Sequence, residues 1–295
     1  MTAHVTLDQW RVFQTIVEEG GYAQAAAKLN KSQSAISYAV AKMQDQLGIE
    51  LLVIQGRKAA LTEAGELMLR RARSLLEEAS GIEAVAGSLN QGWEPEITIA
   101  VEIIFPLNRL LHALGRFQVI APNTRVEVIE SVLSGTEDLI RENKVDLGIS
   151  GLRNLGLSGS HIADIEFHPV CAPSHPLAQL GRKVTLRDLK RHRQIVIRDS
   201  GSDRRYSPGW QKAEQRWTFS HMRSAMEAIK SGYGFSWAPI SILQEEIKCG
   251  KIMKIDMDFD AVKKTPLYLI FPDQDRCGPA ARSLANILMN KSLSS

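Results

Sequence analysis

Residues 20–65, GGYAQAAAKLNKSQSAISYAVAKMQDQLGIELLVIQGRKAALTEAG, constrain the fold more tightly than any other segment. Tyr22 to Leu29 reads as a helix kept thin by Ala23, Ala25, Ala26 and Ala27. Small side chains let a neighbouring helix cross it closely at a steep angle. Asn30-Lys31 makes a turn, and Ser32 suits the cap of the next helix because its hydroxyl accepts from a free backbone N–H. Gln33 to Leu47 follows, with Ile36, Val40, Met43 and Leu47 on one stripe. Upstream, Leu7 to Glu18 places Leu7, Trp10, Phe13, Ile16 and Val17 on another stripe, and Gly20-Gly21 stops that helix. Downstream, Leu51 to Ile54 reads as a strand and Gln55-Gly56-Arg57-Lys58 as a turn. Ala59 to Leu61 is the return strand, and Thr62 caps a further helix. These pieces form a winged helix-turn-helix, a shape that delivers one helix to the DNA major groove.

The face opposite the stripe of Gln33–Leu47 carries Gln33, Ser34, Ser37, Tyr38 and Lys42, with Lys31 and Ser32 at its entry. Gln and Ser can hydrogen-bond base edges or phosphates, and Lys neutralises a phosphate. Taken alone, such a face also suits a helix that is merely solvated. The hairpin that follows decides for DNA, because a tip of Gly56, Arg57 and Lys58 suits the backbone beside the groove. The net charge is only +3. Any DNA contact must therefore come from local placement of cations rather than from the overall field.

The 295 residues suggest about two domains. No run of about 18 apolar residues exists, so no membrane span is expected. The segment Met1 to Gln9 has neither a basic nor an apolar leader region, which predicts a cytoplasmic protein. Cys171, Cys249 and Cys277 lie far apart without metal or redox spacing and read as three reduced thiols. No metal site and no cofactor are expected.

From Glu63 to Asn90 there is no proline. Met68, Leu75, Ile82 and Leu89 recur every seven residues, with Gly65, Ala72, Ala79 and Ala86 three residues earlier. This is a heptad seam with small residues at one of its two positions, and a second copy of the chain is its natural partner. Gly87, Gly92 and Pro95 end the helix. Domain boundaries at 1–62, 63–92 and 93–295 follow.

After Glu96, strands alternate with helices. Strands are expected at 97–101, 126–129, 145–150, 166–172, 194–198, up to Phe219, 235–238 and 267–271. Helices are expected at 106–120, 137–143, 186–190, 222–231, 242–249 and 278–289. This alternation implies parallel sheets with helices on their faces, and ligands gather at the carboxyl ends of the strands. Those ends place Glu102, Ile103 and Ile104 after the first strand, Glu130 and Ser131 after the second, and Gly151 after the third. Arg198, Asp199 and Ser200 follow a later strand, and His221 opens a helix, where anions are favoured.

Ala26-Ala27-Lys28-Leu29, Ser32-Gln33-Ser34-Ala35-Ile36-Ser37, Leu47-Gly48-Ile49-Glu50-Leu51-Leu52 and Leu61-Thr62-Glu63-Ala64-Gly65 together resemble the DNA-binding domain of LysR-type transcriptional regulators. Asp146-Leu147-Gly148-Ile149, His175-Pro176-Leu177-Ala178 and Gly232 to Pro239 resemble their effector domain, so the likeness spans nearly the whole chain. Ser34 stands where that family usually has Pro, Leu52 where it has Phe, and Ile54 where it has Arg. The last change leaves phosphate contacts to Arg57 and Lys58.

The resemblance implies an α/β protein with a winged helix-turn-helix, a long linker helix and a two-subdomain effector domain like those of periplasmic binding proteins. By that analogy, subdomain I is 95–164 plus 266–295, and subdomain II is 165–265. It implies double-stranded DNA and a small-molecule effector as ligands, RNA polymerase as a further partner, and a homodimer or homotetramer. In the family, the position of Glu102 is often Ser or Thr, which can bind a carboxylate. A glutamate there repels an anion unless protonated or paired, with Arg198 or Arg204 as candidate partners. It predicts a cationic or neutral ligand, or none.

Catalysis is not expected. The histidines are scattered, and neither a nucleophile elbow nor a phosphate loop is present. Solute capture is disfavoured by the DNA-binding head. A redox-sensing DNA-binding regulator remains the alternative, with Cys249 and Cys277 the more exposed candidates.

Overall fold

The computed structural model describes residues 4–55, 58–151, 159–202, 210–275 and 277–290, and at 54, 55 and 58 it describes the backbone alone. The chain divides into two compact units, residues 1–90 and 91–295.

The first unit runs α1 (Leu7–Glu19), α2 (Tyr22–Lys28), α3 (Gln33–Leu47), β1 (Leu52–Gln55), β2 (Lys58–Leu61) and α4 (Glu63–Asn90). Thr6 caps α1: its hydroxyl accepts from the Gln9 N–H at 3.2 Å, and Gln9 Oε1 accepts from the Thr6 N–H at 2.8 Å. This reciprocal cap draws Gln9 into the interior, so Leu7, expected on the stripe, is exposed. Val12, Phe13 and Ile16 of α1, Ala25 and Ala26 of α2, and Ile36, Val40 and Met43 of α3 make the core. β1 and β2 pair antiparallel from Leu52↔Leu61 to Gln55↔Lys58.

α4 docks by its first turns. The Thr62 hydroxyl accepts from the Gly65 N–H at 2.9 Å. A Cβ on Gly65 would lie 2.0 Å from the Leu51 carbonyl oxygen, so only glycine permits this approach. Gly65, Leu69 and Ala72 are buried against the unit's own core, which takes up the start of the heptad seam. Beyond it, Leu75, Ile82 and Leu89 stay exposed, Ile82 at 64 %.

The second unit opens with β3 (Glu96–Glu102), α5 (Leu107–Ile120), β4 (Arg125–Ser131), α6 (Ser134–Arg141), β5 (Leu147–Ser150) and β6 (Gly159–Cys171). It continues with α7 (Leu186–Arg191), β7 (Gln194–Ile197), β8 (Arg216–Phe219), α8 (Met222–Lys230) and β9 (Ser236–Pro239). It closes with α9 (Gln244–Lys248), β10 (Met253–Lys254), β11 (Lys263–Ile270) and α10 (Pro279–Met289).

The main sheet has the order β10-β6-β11-β5-β3-β4, with β9 also on β6. β3 pairs parallel with β4 and β5, as the alternation with helices predicts. β11 and β6 instead run antiparallel. Sequence alternation misses this because β11 is entered from a distant part of the chain. β6 also begins at Gly159, earlier than the strand expected from Glu166. Both strands cross the subdomain boundary inferred at 164/165 and 265/266 without a break, pairing Asp164↔Pro266 and Ile165↔Thr265. α5 and α10 cover one face of the sheet through Leu110, Ala113, Phe117, Leu284 and Leu288. A separate parallel pair, β7 with β8, packs with α8 around Ile195, Ala225 and Ile229.

Candidate functional site

On α3, the face away from the core is open. Gln33, Ser34, Ser37 and Lys42 are exposed, and Tyr38 is 68 % exposed, while Ile36, Val40 and Met43 are wholly buried. Ser32 accepts from the Ala35 N–H at 3.2 Å, capping the helix, and its oxygen lies 3.0 Å from Ser34 Oγ. The remaining free N–H groups at this end favour an anion such as phosphate. Lys31 donates to Asp8 at 2.6 Å, and Asp8 also accepts from Arg11. The hydrogen bond from Lys31, then that from Arg11, holds the Asp8 carboxyl below its usual range. Lys31 therefore spends part of its charge tying α1 to the turn before α3. The whole of Arg57 and the side chain of Lys58 lie outside the described residues.

In the second unit, a cavity of about 360 Å³ opens beside the ends of β3 and β7. Glu102, Ile103 and Ile104 form one wall, with Val132 and Leu133 beside them. The opposite wall is Ile195, Ile197, Met222, Met226, Ile229, Trp237 and Leu243, and Phe167, Lys263 and Thr265 come from β6 and β11. The surface is chiefly hydrocarbon, sulfur and aromatic ring.

Glu102 is 3 % exposed. Leu133 donates its N–H to both carboxylate oxygens, at 3.2 and 2.9 Å, and the Thr136 hydroxyl lies 3.4 Å from Oε2. Burial pushes the Glu102 carboxyl up to about 7, and the Leu133 and Thr136 hydrogen bonds pull the other way. Leu133 has φ 52° and ψ −117°, a backbone region L-residues rarely adopt, at a cost of order 1–3 kcal/mol. This strained turn is what aims its N–H at the carboxylate. The partner of Glu102 is thus a backbone amide, not Arg198: that residue is exposed, with its N–H on the Phe219 carbonyl at 2.8 Å. Arg204 lies outside the described residues.

The other residues expected at strand ends do not line this cavity. Ser131 is level with Glu102 across β3 and β4 and donates to or accepts from Thr136 at 2.8 Å. Glu130, one position earlier, falls on the opposite face by the two-residue period of a strand, and it is exposed. A Cβ on Gly151 would lie 3.1 Å from the side chain of Thr265, which lines the cavity, but Gly151 itself is not in the lining. His221 is exposed before α8 and makes no side-chain cap. Asp199 and Ser200 clasp the start of α6 instead. Ser134 Oγ donates to Asp199 at 2.6 Å, and Ser200 Oγ accepts from the Val132 N–H at 2.8 Å. A Cβ on Gly135 would lie 1.9 Å from Ser200 Oγ, so the clasp requires glycine there. A carboxylate of the chain itself thereby sits against the first turn of α6.

Leu133, Thr136 and Gln194 were not legible as site residues. A left-handed turn and a long-range wall leave no local pattern. Met222 and Met226 had a signal, the i, i+4 apolar face of an amphipathic helix, but nothing local to say which surface it faces.

An exposed recognition helix with a hairpin wing, joined in one chain to an α/β unit with a ligand-sized apolar cavity, defines a ligand-responsive DNA-binding regulator. The model described as "Bacterial regulatory helix-turn-helix protein, lysR family" matches residues 7–66, and that described as "LysR substrate binding domain" matches residues 90–292. The chain belongs to the LysR family of DNA-binding transcriptional regulators. A relative described as an uncharacterized HTH-type transcriptional regulator, YeeY of Escherichia coli (strain K12), is 30 % identical over 253 residues, covering 84 % of this chain and 82 % of that one. The RuBisCO operon transcriptional regulator of Allochromatium vinosum is 25 % identical over 300 residues, covering 98 % and 97 %. The structure of CrgA, a LysR-type regulator from Neisseria meningitidis, shares the fold with a TM-score of 0.54 at 21 % identity, over 100 % of both chains.

Proposed function

We propose that residues 1–62 read a duplex operator through α3. Gln33, Ser34, Ser37 and Tyr38 contact base edges, and Lys31, Ser32, Lys42, Arg57 and Lys58 contact the backbone. The observation that carries this assignment is the open face around Tyr38, set against a core that takes Ile36, Val40 and Met43. Residues 63–92 pair two copies through Leu75, Ile82 and Leu89, which presents two reading heads to two half-sites. Residues 93–295 bind an effector in the cavity beside Glu102, and occupancy shifts the subdomains that β6 and β11 join. Those two strands are the natural hinge, because they are the continuous backbone between the subdomains. Pairing of dimers into a tetramer and contact with RNA polymerase belong to the same reading, as does a cytoplasmic protein without catalysis. Among the described residues, no helix is long and apolar enough to cross a membrane.

The redox alternative is weaker on chemical grounds. The thiolate is the reactive form of cysteine. Burial pushes the Cys171 thiol up to about 12 and Cys277 up to about 11. Both resist ionisation, and Cys249 is exposed without a cysteine partner among the described residues.

Genome-wide mapping of sites bound by the tagged protein tests the reading. Recovery of a shared motif with two half-sites supports it. Binding without sequence preference sinks it.

A further inference from the structure

We propose that the cavity of the second unit takes an apolar primary amine, seated with its ammonium against Glu102, and excludes carboxylates. This rests on the reading of that cavity as the effector site and specifies the chemistry of its ligand.

Three observations converge on a donor rather than an acceptor. First, the largely apolar lining carries a carboxylate, Glu102, 3 % exposed. Its described hydrogen bonds come from one backbone amide and one long hydroxyl contact. Such an oxygen pair keeps capacity for a further donor. Second, Gln194, which also lines the wall, is 2 % exposed, and among the described residues its Oε1 has no hydrogen-bond partner. The amide cannot be turned round to cure this, because Nε2 donates to the Trp210 carbonyl at 2.6 Å and a carbonyl only accepts. A buried acceptor without a donor calls for one from a ligand or water. Third, the start of α6, where an anionic ligand would be favoured, is already taken by the chain's own Asp199 through Ser134. A ligand carboxylate would therefore meet Glu102 in the wall and find the start of α6 already occupied. The only cation in the described lining is Lys263, exposed at the rim with its Nζ 5.3 Å from the centre of the Trp237 ring.

A cavity of about 360 Å³ is of the size that small ligands occupy. Met222, Met226 and Trp237 suit an alkyl or aryl body, since thioethers adapt their shape to aromatic and aliphatic partners.

The test is calorimetric titration of the full chain with 4-phenylbutylamine, 4-phenylbutan-1-ol and 4-phenylbutyrate, which share one skeleton. The amine is expected to bind at least about tenfold tighter than the carboxylate, with the alcohol between them. Glu102→Gln should weaken the amine by about tenfold and change the alcohol by less than about threefold. Equal or tighter binding of the carboxylate overturns the proposal, as does an amine preference that survives Glu102→Gln or the failure of all three to bind. Methyl resonances of Met222 and Met226 in the wild-type chain locate the ligand independently of any variant. An amine that binds but leaves both unmoved overturns the cavity as its site. A carboxylate that wins and moves both leaves the effector-site reading intact while removing this ligand class.

Discussion

A carboxylate in an apolar wall favours its protonated form, and Glu102 shows the consequence for stability. Its folded-state value of about 7 lies above the ordinary 4.5, with Asp199 nearby adding to the rise. Between those two values the folded chain holds a proton that the unfolded chain has lost. Stability from this group is therefore present in full below about pH 4.5 and is lost as pH rises towards 7. Glu102→Gln removes the dependence. We expect the variant to gain on the wild type by on the order of 3 kcal/mol between pH 4.5 and pH 8, read from urea unfolding of the second unit. An unchanged difference at the two pH values would show that burial does not control this carboxyl. His175 behaves oppositely: burial, then the charge of His192, pushes it down to about 4. Its Nδ1 accepts from the Leu177 N–H at 3.2 Å, so the ring caps a turn as a neutral group and is no switch near neutrality. At Gly65 the constraint is steric. Gly65→Ala should destabilise the first unit by roughly 1–3 kcal/mol, because the clash is with backbone that cannot rotate away. Denaturant midpoints within error of wild type would mean that α4 docks elsewhere.

At the scale of elements, α3 and α4 are proposed to divide the work of recognition and pairing. Replacing Gln33 by Ala should cost roughly 1–3 kcal/mol at a specific operator if Gln33 reads a base. An equal loss on random DNA would assign it to phosphate. α4 has a split seam, with one end spent on its own core and Leu75, Ile82 and Leu89 left in solvent. A stripe of that kind is stable in water when another helix covers it. Ile82→Lys should therefore convert the oligomer to monomer in sedimentation at micromolar protein, while the thermal unfolding of the DNA-binding unit stays within about 0.5 kcal/mol of wild type. A variant that sediments as the wild type would place the interface off this helix.

For the molecule as a whole, signal must arise from occupancy of the cavity or from oxidation of a thiol, and the two make opposite predictions. Operator binding should stay within about twofold after treatment with peroxide, because Cys171 and Cys277 hold their protons. A peroxide-dependent loss that Cys249→Ser abolishes would transfer the sensing role to that exposed residue. Neither outcome depends on net charge, which at +3 is too small to drive DNA binding by itself.

The order of elements was legible in the sequence, since periods of two and 3.6 residues report which face of a segment is buried. α3 could be read from Ser32 to Leu47, and the break at Asn90 from Gly92 and Pro95, whereas Gly87, also expected to end the helix, lies within α4. The exposed row proposed to face DNA followed from the same periodicity, because a helix that buries Ile36, Val40 and Met43 must turn Ser34, Ser37 and Tyr38 away. The ligand site was only half legible. Glu102 was found because strands end where ligands gather, but Glu130, Gly151 and Arg198, nominated by the same rule, and His221, nominated as a helix start, do not line the cavity. Which strand ends share one opening depends on the antiparallel return of β11 along β6, on the left-handed turn at Leu133, and on the clasp of Asp199 and Ser200 upon α6. These are contacts between segments 31 to 111 positions apart in the numbering, and local pattern does not encode them. Local residue chemistry determined the helices, strands and open faces; only the folded chain brought a buried carboxylate and an unpaired amide oxygen to the wall of one apolar cavity, because that meeting is set by long-range packing.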